Sequence, residues 1–222
     1  TLAAGIAHEV SSPLFGVMGL AEAILEEDEQ ELVRGYAKEI VDYSRTIKEI
    51  VVQLSGYSRS ATQEYRTTVE LKSVVEDAVL LVARSSAADP GAVELDLEPG
   101  VFVLARTSEL QQVFVNLVKN ALEALDDFYT GTDEGFPGRV VVRVYQDDTH
   151  VFAEVRDNGP GIEEANRQAI FDPFYTTKPP GRGTGLGLNI VYRIITKYQG
   201  QITVESNLGE GTVFKMRFPR EA

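Results

Sequence analysis

Asp157-Asn-Gly-Pro-Gly161 and, further along, Gly183-Thr-Gly-Leu-Gly-Leu188 set the reading of this chain. In the first stretch a carboxylate ends the alternating run Val151 to Arg156, and Gly159 and Gly161 follow it. Glycines there let the backbone come close to a planar ligand, and a buried carboxylate can accept a hydrogen bond from the exocyclic amine of adenine. Asp-Asn-Gly is equally the sequence of an ordinary turn. The second stretch raises it above one, because glycine-rich backbone opening a helix offers amide donors and a favourable dipole to phosphates. Upstream, Asn116-Leu-Val-Lys-Asn120 places two amides four residues apart on one helix face, and amide oxygens are hard ligands suited to Mg²⁺. Lys119 between them either reaches phosphate or is a solvated helix lysine.

Around these motifs the pattern predicts a strand near Val69, a helix over about 71–86, and strands at Val93–Leu97 and Val101–Leu104. A long helix follows from Ser108 to Asp127, opened by a Ser108/Gln111 capping box. Two alternating segments, Arg139–Tyr145 and Val151–Arg156, precede the glycine-rich region. A helix over Leu186–Lys197, ended by Gly200, leads into a closing hairpin of Gln201–Ser206 and Thr212–Phe218. Mixed strands with helices between them predict an α/β sandwich, one sheet layered on helices.

The first sixty residues read differently. Ile6, Val10, Pro13, Val17, Leu20 and Ile24 recur at spacings of four and three, and Ala7, Leu14, Met18, Ala21 and Leu25 form a second apolar row beside them. Tyr36, Ile40, Tyr43, Ile47, Ile50, Leu54 and Tyr57 keep the same rhythm beyond the acidic turn Glu26–Glu29. One hairpin cannot bury faces this wide, so two hairpins packed as a four-helix bundle, a homodimer, are expected. A hairpin packed on its own C-terminal domain is the alternative. Residues 61–67 are polar and aperiodic and read as a linker, dividing the chain into 1–60, the linker, and 68–222. The fold class is α+β: a helical hairpin followed by the sandwich.

On the first helix, His8 points about 160° away from the Ile6 seam, into solvent. With an ordinary pKa of about 6.5, an exposed imidazole is largely neutral and nucleophilic near pH 7. Glu9 beside it can orient the ring and take its proton. Pro13 withholds a hydrogen bond from the Glu9 carbonyl and loosens the helix there. An isolated His-Glu pair is more often ordinary surface, and His150 is read as a surface loop residue.

Composition closes off other chemistries. The chain of 222 residues has a net charge of −13, no cysteine and two histidines. This excludes disulfides, thiol catalysis and a His-rich metal site, and argues against nucleic acid as a partner. No apolar run approaches the roughly 20 residues that span a bilayer, so no membrane contact is expected of this segment, which is read as cytoplasmic. Thr1 starts within a running helix, and sequence upstream, with room for a membrane anchor, is expected.

Taken together, His8-Glu-Val-Ser-Ser-Pro-Leu14, Asn116–Asn120, Asp157–Gly161, Phe171-Asp-Pro-Phe-Tyr-Thr-Thr-Lys178 and Gly183–Leu188 occur in the order of the sensor histidine kinases. The resemblance covers nearly the whole chain. The His-Glu-x-x-x-Pro-Leu and Phe-Tyr-Thr-Thr-Lys forms are most similar to the nitrogen-regulation subgroup. The resemblance implies a dimeric hairpin followed by a Bergerat-type ATP-binding domain, with ATP and Mg²⁺ as cofactors and a response-regulator receiver domain as partner. It implies Asn120 as the main Mg²⁺ ligand with Asn116 beside it, and Gly183, Thr184, Gly185, Leu186, Gly187 and Leu188 around the phosphates. Lys178 to Arg182 would form a short lid, and Gly209-Glu-Gly-Thr212 is similar to the last glycine box, or is only a hairpin turn. Gyrase-type and Hsp90-type relatives carry a Glu where this chain has Asn116. Lacking that base, the site is expected to hydrolyse ATP slowly and leave the γ-phosphoryl group for His8. Ser12 stands where the family has Asn or Thr to position a hydrolytic water, so phosphatase activity toward the regulator is expected to be weak. An ATP-binding scaffold, or a phosphatase-dominant module, is the reading from another class.

Overall fold

The structure is a computed structural model that describes residues 2–58, 66–85, 92–129, 138–178 and 183–220. The side chains of residues 2–9, 49, 52–58 and 85 lie outside that description. The chain divides into two compact units, residues 1–63 with 172–186, and residues 64–171 with 187–222.

In the first unit, α1 (Leu2–Glu26) and α2 (Gln30–Ser58) pack against each other as a hairpin. The acidic turn contracts to residues 27–29, and α1 runs through Pro13 without interruption. Val10, Pro13, Val17, Leu20 and Ile24 face inward with Val33, Tyr36, Ile40, Tyr43, Ile47 and Ile50. Gly16 admits the Tyr43 ring, whose Cε2 would lie 2.7 Å from any added Cβ. The second apolar row stays open within one chain: Leu14, Met18 and Leu25 are exposed, as are Phe15 and Val41.

The second unit is the sandwich. Its main sheet runs β2 (Val93–Leu97), β4 (Val140–Gln146), β5 (His150–Asp157), β7 (Gly211–Pro219), β6 (Gln201–Asn207). Only the β2/β4 pair is parallel. A two-stranded ribbon pairs β1 (Thr67–Glu70) with β3 (Phe102–Ala105). Alternation decides the faces: Val140, Val142, Val144, Val151, Ala153, Val155, Phe214, Met216 and Phe218 are buried. Their neighbours Arg143, Glu154 and Lys215 lie on the other face, where ion pairs such as Arg143 to Asp96 at 3.0 Å run across strands. The long helix α4 (Thr107–Tyr129) buries Leu110, Val113, Phe114, Leu117, Val118, Ala121, Leu122 and Leu125. Each such large side chain contributes about 1.5–3 kcal/mol through burial. Helices α3 (Leu71–Ser85) and α5 (Gly187–Lys197) flank α4.

Two local expectations change. The long helix opens ahead of Ser108, because Glu109 N and Leu110 N donate to the Arg106 carbonyl, and Ser108 lies inside the first turn. A tertiary contact replaces the capping box there: Arg106 N donates to the Tyr198 hydroxyl at 3.1 Å. That hydroxyl donates to Glu109 Oε2 at 2.5 Å, and Lys197 Nζ binds Glu109 Oε1 at 2.7 Å. The end of α5 falls just before Gly200, as expected, with Gln199 the left-handed residue at φ 57° and Gly200 N donating to the Ile195 carbonyl at 2.9 Å. Gly200 is needed for room, since a Cβ there would stand 2.8 Å from the Arg217 carbonyl oxygen. His150 opens β5 rather than lying in the loop, with its Nδ1 2.7 Å from Thr149 Oγ1.

Candidate functional site

The second unit builds its site on the helix-covered side of the sheet, where β5 ends. Asp157 is 7% exposed, and its Oδ1 accepts from Gly159 N at 2.9 Å and Thr212 N at 3.2 Å. Oδ2 has no partner among the described residues. Burial pushes the carboxyl above its ordinary range, and the two backbone donors pull it back only in part. The fold thus holds a partly desolvated acceptor at the end of a strand.

The loop after Asp157 is locked from beneath by the β6–β7 turn. Gly209 N donates to the Pro160 carbonyl at 2.8 Å, and Ile162 N donates to Ser206 Oγ at 2.7 Å. Gly161 sits at φ 75°, and a Cβ on it would fall 2.0 Å from the Asn207 carbonyl oxygen. The facing strand needs the same clearance, since a Cβ on Gly211 would stand 2.1 Å from the Asp157 carbonyl oxygen. Glycine is therefore required on both sides of the joint. On the other side, an added Cβ at Gly159 would meet Ala124 and Leu125 of α4 in ordinary contact, so loop and helix touch.

Two turns earlier on α4, the half-buried Asn116 and Asn120 come together at the start of α5. Asn116 Nδ2 donates to the Gly187 carbonyl at 3.3 Å, and its Oδ1 lies 4.0 Å from the Cβ position of Gly187. Asn120 Nδ2 lies 4.0 Å from the Cβ position of Gly187. Neutral amide oxygens presented this way suit a cation that keeps phosphate and water ligands. Among the described residues no cluster of three or more His, Asp or Glu is placed to hold a metal. Lys119 on the same helix is 3.7 Å from Glu123, one turn on.

In the first unit, the segment from Asp172 to Leu186 is closed by its own backbone. Phe174 N donates to the Gly185 carbonyl at 3.0 Å, with Phe174 at φ 68° and Gly185 at φ 63°. A Cβ on Gly185 would lie 2.4 Å from the Phe174 carbonyl carbon. Inside this clasp, Lys178 N donates to Thr176 Oγ1, Leu186 N donates to Thr184 Oγ1, and Leu186 is fully buried. Gly183 stands where a Cβ would be 3.2 Å from Lys178 Cδ. Leu188 falls in the first turn of α5. Arg182 lies outside the described residues, as do the side chains of His8 and Glu9, whose backbone is helical; Ser12 is exposed on α1.

The sequence reading did not single out Ser206, Tyr198 or Glu109. A serine on an alternating strand carries no local signal. The Tyr198–Glu109 contact joins residues far apart in sequence.

Compared with known proteins, residues 105–222 match the family described as histidine kinase-, DNA gyrase B-, and HSP90-like ATPase. The chain is 31% identical to Sporulation kinase E of Bacillus subtilis strain 168, over 98% of its own length and 28% of the relative's. It is 32% identical to the signal transduction histidine-protein kinase AtoS of Escherichia coli strain K12, over 98% of its length and 34% of that protein's. The chain thus spans about a third of these relatives. Among solved structures, histidine kinase ThkA in complex with the response regulator protein TrrA superposes with a TM-score of 0.72 at 25% identity, over 99% of this chain and 61% of that one. The chain belongs to the histidine kinase-, DNA gyrase B- and HSP90-like ATPases. Within them, its relatives place it with the sensor histidine kinase catalytic cores.

Proposed function

We propose that this chain is the core of an autophosphorylating protein-histidine kinase. The observation that supports it most is the buried Asp157 carboxylate, with one oxygen held by two backbone donors and the other left for a ligand donor such as the adenine amine. In this reading Asn120 and Asn116 hold Mg²⁺, which when bound would screen the phosphate charge. Lys178 and Arg182 supply cations along the lid, Lys119 is a further phosphate contact, and Gly183 to Leu188 supply backbone donors. His8 attacks the γ-phosphorus, the bond to the ADP oxygen breaks, and Glu9 takes the imidazole proton. The phosphoryl group then passes to an aspartate of a response regulator.

Asn116 stands where a water-activating carboxylate would favour hydrolysis, which supports transfer over turnover. The exposed row Leu14, Met18 and Leu25 supports burial against a second hairpin, making the chain a homodimer of segments 1–60 joined through 61–67 to the ATP domain at 68–222. Among the described residues no helix is long and apolar enough to cross a membrane. We place this segment in the cytoplasm, and affiliate it with nitrogen-regulation kinases on the form of its His8 and Phe171–Lys178 motifs.

The test is incubation of the purified chain with Mg²⁺ and γ-labelled ATP. Label that is acid-labile, alkali-stable and absent from His8→Gln is expected. Steady hydrolysis by His8→Gln, or ATP binding with no label on the wild type, would refute the kinase reading.

A further inference from the structure

Ser206 is 7% exposed, and its hydroxyl lies within hydrogen-bond distance of three groups at once. Ile162 N is 2.7 Å away, the Gly211 carbonyl oxygen 2.9 Å, and Thr212 Oγ1 2.9 Å. A serine hydroxyl has one proton and two lone pairs. Ile162 N can only donate and the Gly211 carbonyl can only accept. Satisfying all three contacts therefore admits one arrangement: Ser206 gives its proton to Gly211, and its two lone pairs take the Ile162 N–H and the Thr212 hydroxyl proton. With that proton committed, Thr212 Oγ1 has only lone pairs left to offer.

Thr212 is the register partner of Asp157, both are buried on the helix-covered face, and Thr212 N donates to the Asp157 carboxylate. The opposite proton arrangement, Ser206 donating to Thr212, would leave the Gly211 carbonyl without its donor from Ser206 in a place 5–7% exposed, which is costly. The geometry points to Ser206 as a specificity-determining positioning residue: it fixes the Thr212 hydroxyl as an acceptor, so that Thr212 and Asp157 together present an acceptor-only edge. Such an edge fits the two N–H donors of a 6-amino purine and disfavours a 6-oxo purine, whose oxygen would meet lone pairs. Ser206 acts through Thr212 and need not touch the ligand. This inference rests on the nucleotide site proposed above and extends it from Asp157 to the polarity of its neighbour.

A Ser206 that merely pins the loop to the β6–β7 turn would, when removed, weaken every purine nucleotide alike. The proton arrangement instead predicts a change in a ratio. Isothermal titration of the intact chain with ATP and with ITP, which differs at the 6-position, measures it for the wild type, Ser206→Ala and Thr212→Val. The wild type is expected to prefer ATP. Ser206→Ala lets the Thr212 hydroxyl turn and donate, and the ATP/ITP preference is expected to fall by about 3- to 10-fold. Thr212→Val leaves the Ile162 and Gly211 bonds to Ser206 in place, so it reads the same edge without loosening the loop. It should lower the preference likewise, and the double variant should lower it no further. Equal weakening of both nucleotides by Ser206→Ala, or an unchanged preference in Thr212→Val, overturns the proposal. Failure of the wild type to bind either nucleotide would show before any substitution that the nucleotide reading itself is wrong, and this inference would fall with it.

Discussion

Asp157→Asn separates what this carboxylate does for a ligand from what it does to the fold. Burial raises its carboxyl pKa in the folded chain. An acid with a raised folded-state pKa binds its proton more tightly when folded, so stability falls as pH climbs above the unfolded value of about 3.9. At pH 7 the ionised side chain is therefore a net cost to the domain. Asparagine keeps an oxygen where Oδ1 accepts from Gly159 N and Thr212 N, and it removes the buried charge. Two charge-assisted bonds become neutral ones, a loss of about 0.5–1 kcal/mol each that the relieved desolvation outweighs. The variant should be as stable as the wild type at pH 7 or more stable by up to about 1.5 kcal/mol, and the difference should close near pH 4. For a 6-amino ligand the outcome is opposite, because an NH₂ now stands where the free acceptor was. One charge-assisted bond worth about 1.5–3 kcal/mol is lost, so ATP affinity should drop by roughly 10- to 150-fold. Urea denaturation at pH 7 and pH 4, beside ATP titration at pH 7, measures both. A variant plainly less stable at pH 7, or one that binds ATP like the wild type, would refute the reasoning.

Gly161→Ala combines a left-handed φ of 75° with a 2.0 Å approach to the Asn207 oxygen, so denaturation should report a loss of about 2–4 kcal/mol together with weakened ATP binding. Gln199→Gly relieves a side-chain-bearing residue at φ 57° after α5 and should raise stability by about 0.5–1 kcal/mol in the same assay, leaving ATP affinity unchanged. Tyr198→Phe removes the acceptor of Arg106 N and a donor to Glu109, costing about 1–2 kcal/mol. The wild-type cluster also carries a pH signature. Burial acts against ionised Glu109, but its bonds to Lys197 and Tyr198 and the charges of Lys197 and Arg106 outweigh it and lower its pKa. Its contribution should be present above about pH 4.5 and fade as pH falls further. Burial and the bond to Glu109 push Tyr198 up to about 12, so its contribution should hold to about pH 10 and be lost above it. Stability of wild type and Tyr198→Phe measured at both pH extremes checks this: the variant should lack the alkaline loss.

The strands were legible because their burial has a two-residue period. Val140, Val142 and Val144 read inward in sequence as they do in space. The glycine-rich stretches were legible because at Gly161 and Gly185 an added Cβ would fall 2.0–2.4 Å from a neighbouring backbone atom, and glycine is the residue that leaves that room. Local rules failed where a distant residue supplied the missing bond. Ser108 and Gln111 have the right spacing for a cap, but Tyr198 reaches back to satisfy Arg106 and the helix begins earlier. Gly200 marked the end of α5 in the sequence, but that Gln199 before it takes the left-handed turn while Gly200 yields space to Arg217 had no local signal. Ser206 was invisible for the same reason: its three partners come from a loop 44 residues away and from the next strand.

The clasp between Phe174 and Gly185 makes what lies between them a replaceable cassette. Its two ends are tied by backbone at fixed positions, so the entropy of closing the loop depends only on the logarithm of its length. Four added residues should cost roughly 0.3 kcal/mol. An insertion there is therefore expected to leave the Phe174–Gly185 closure standing. The invariant demand is one glycine at the closing point, where any other residue would strike the Phe174 backbone.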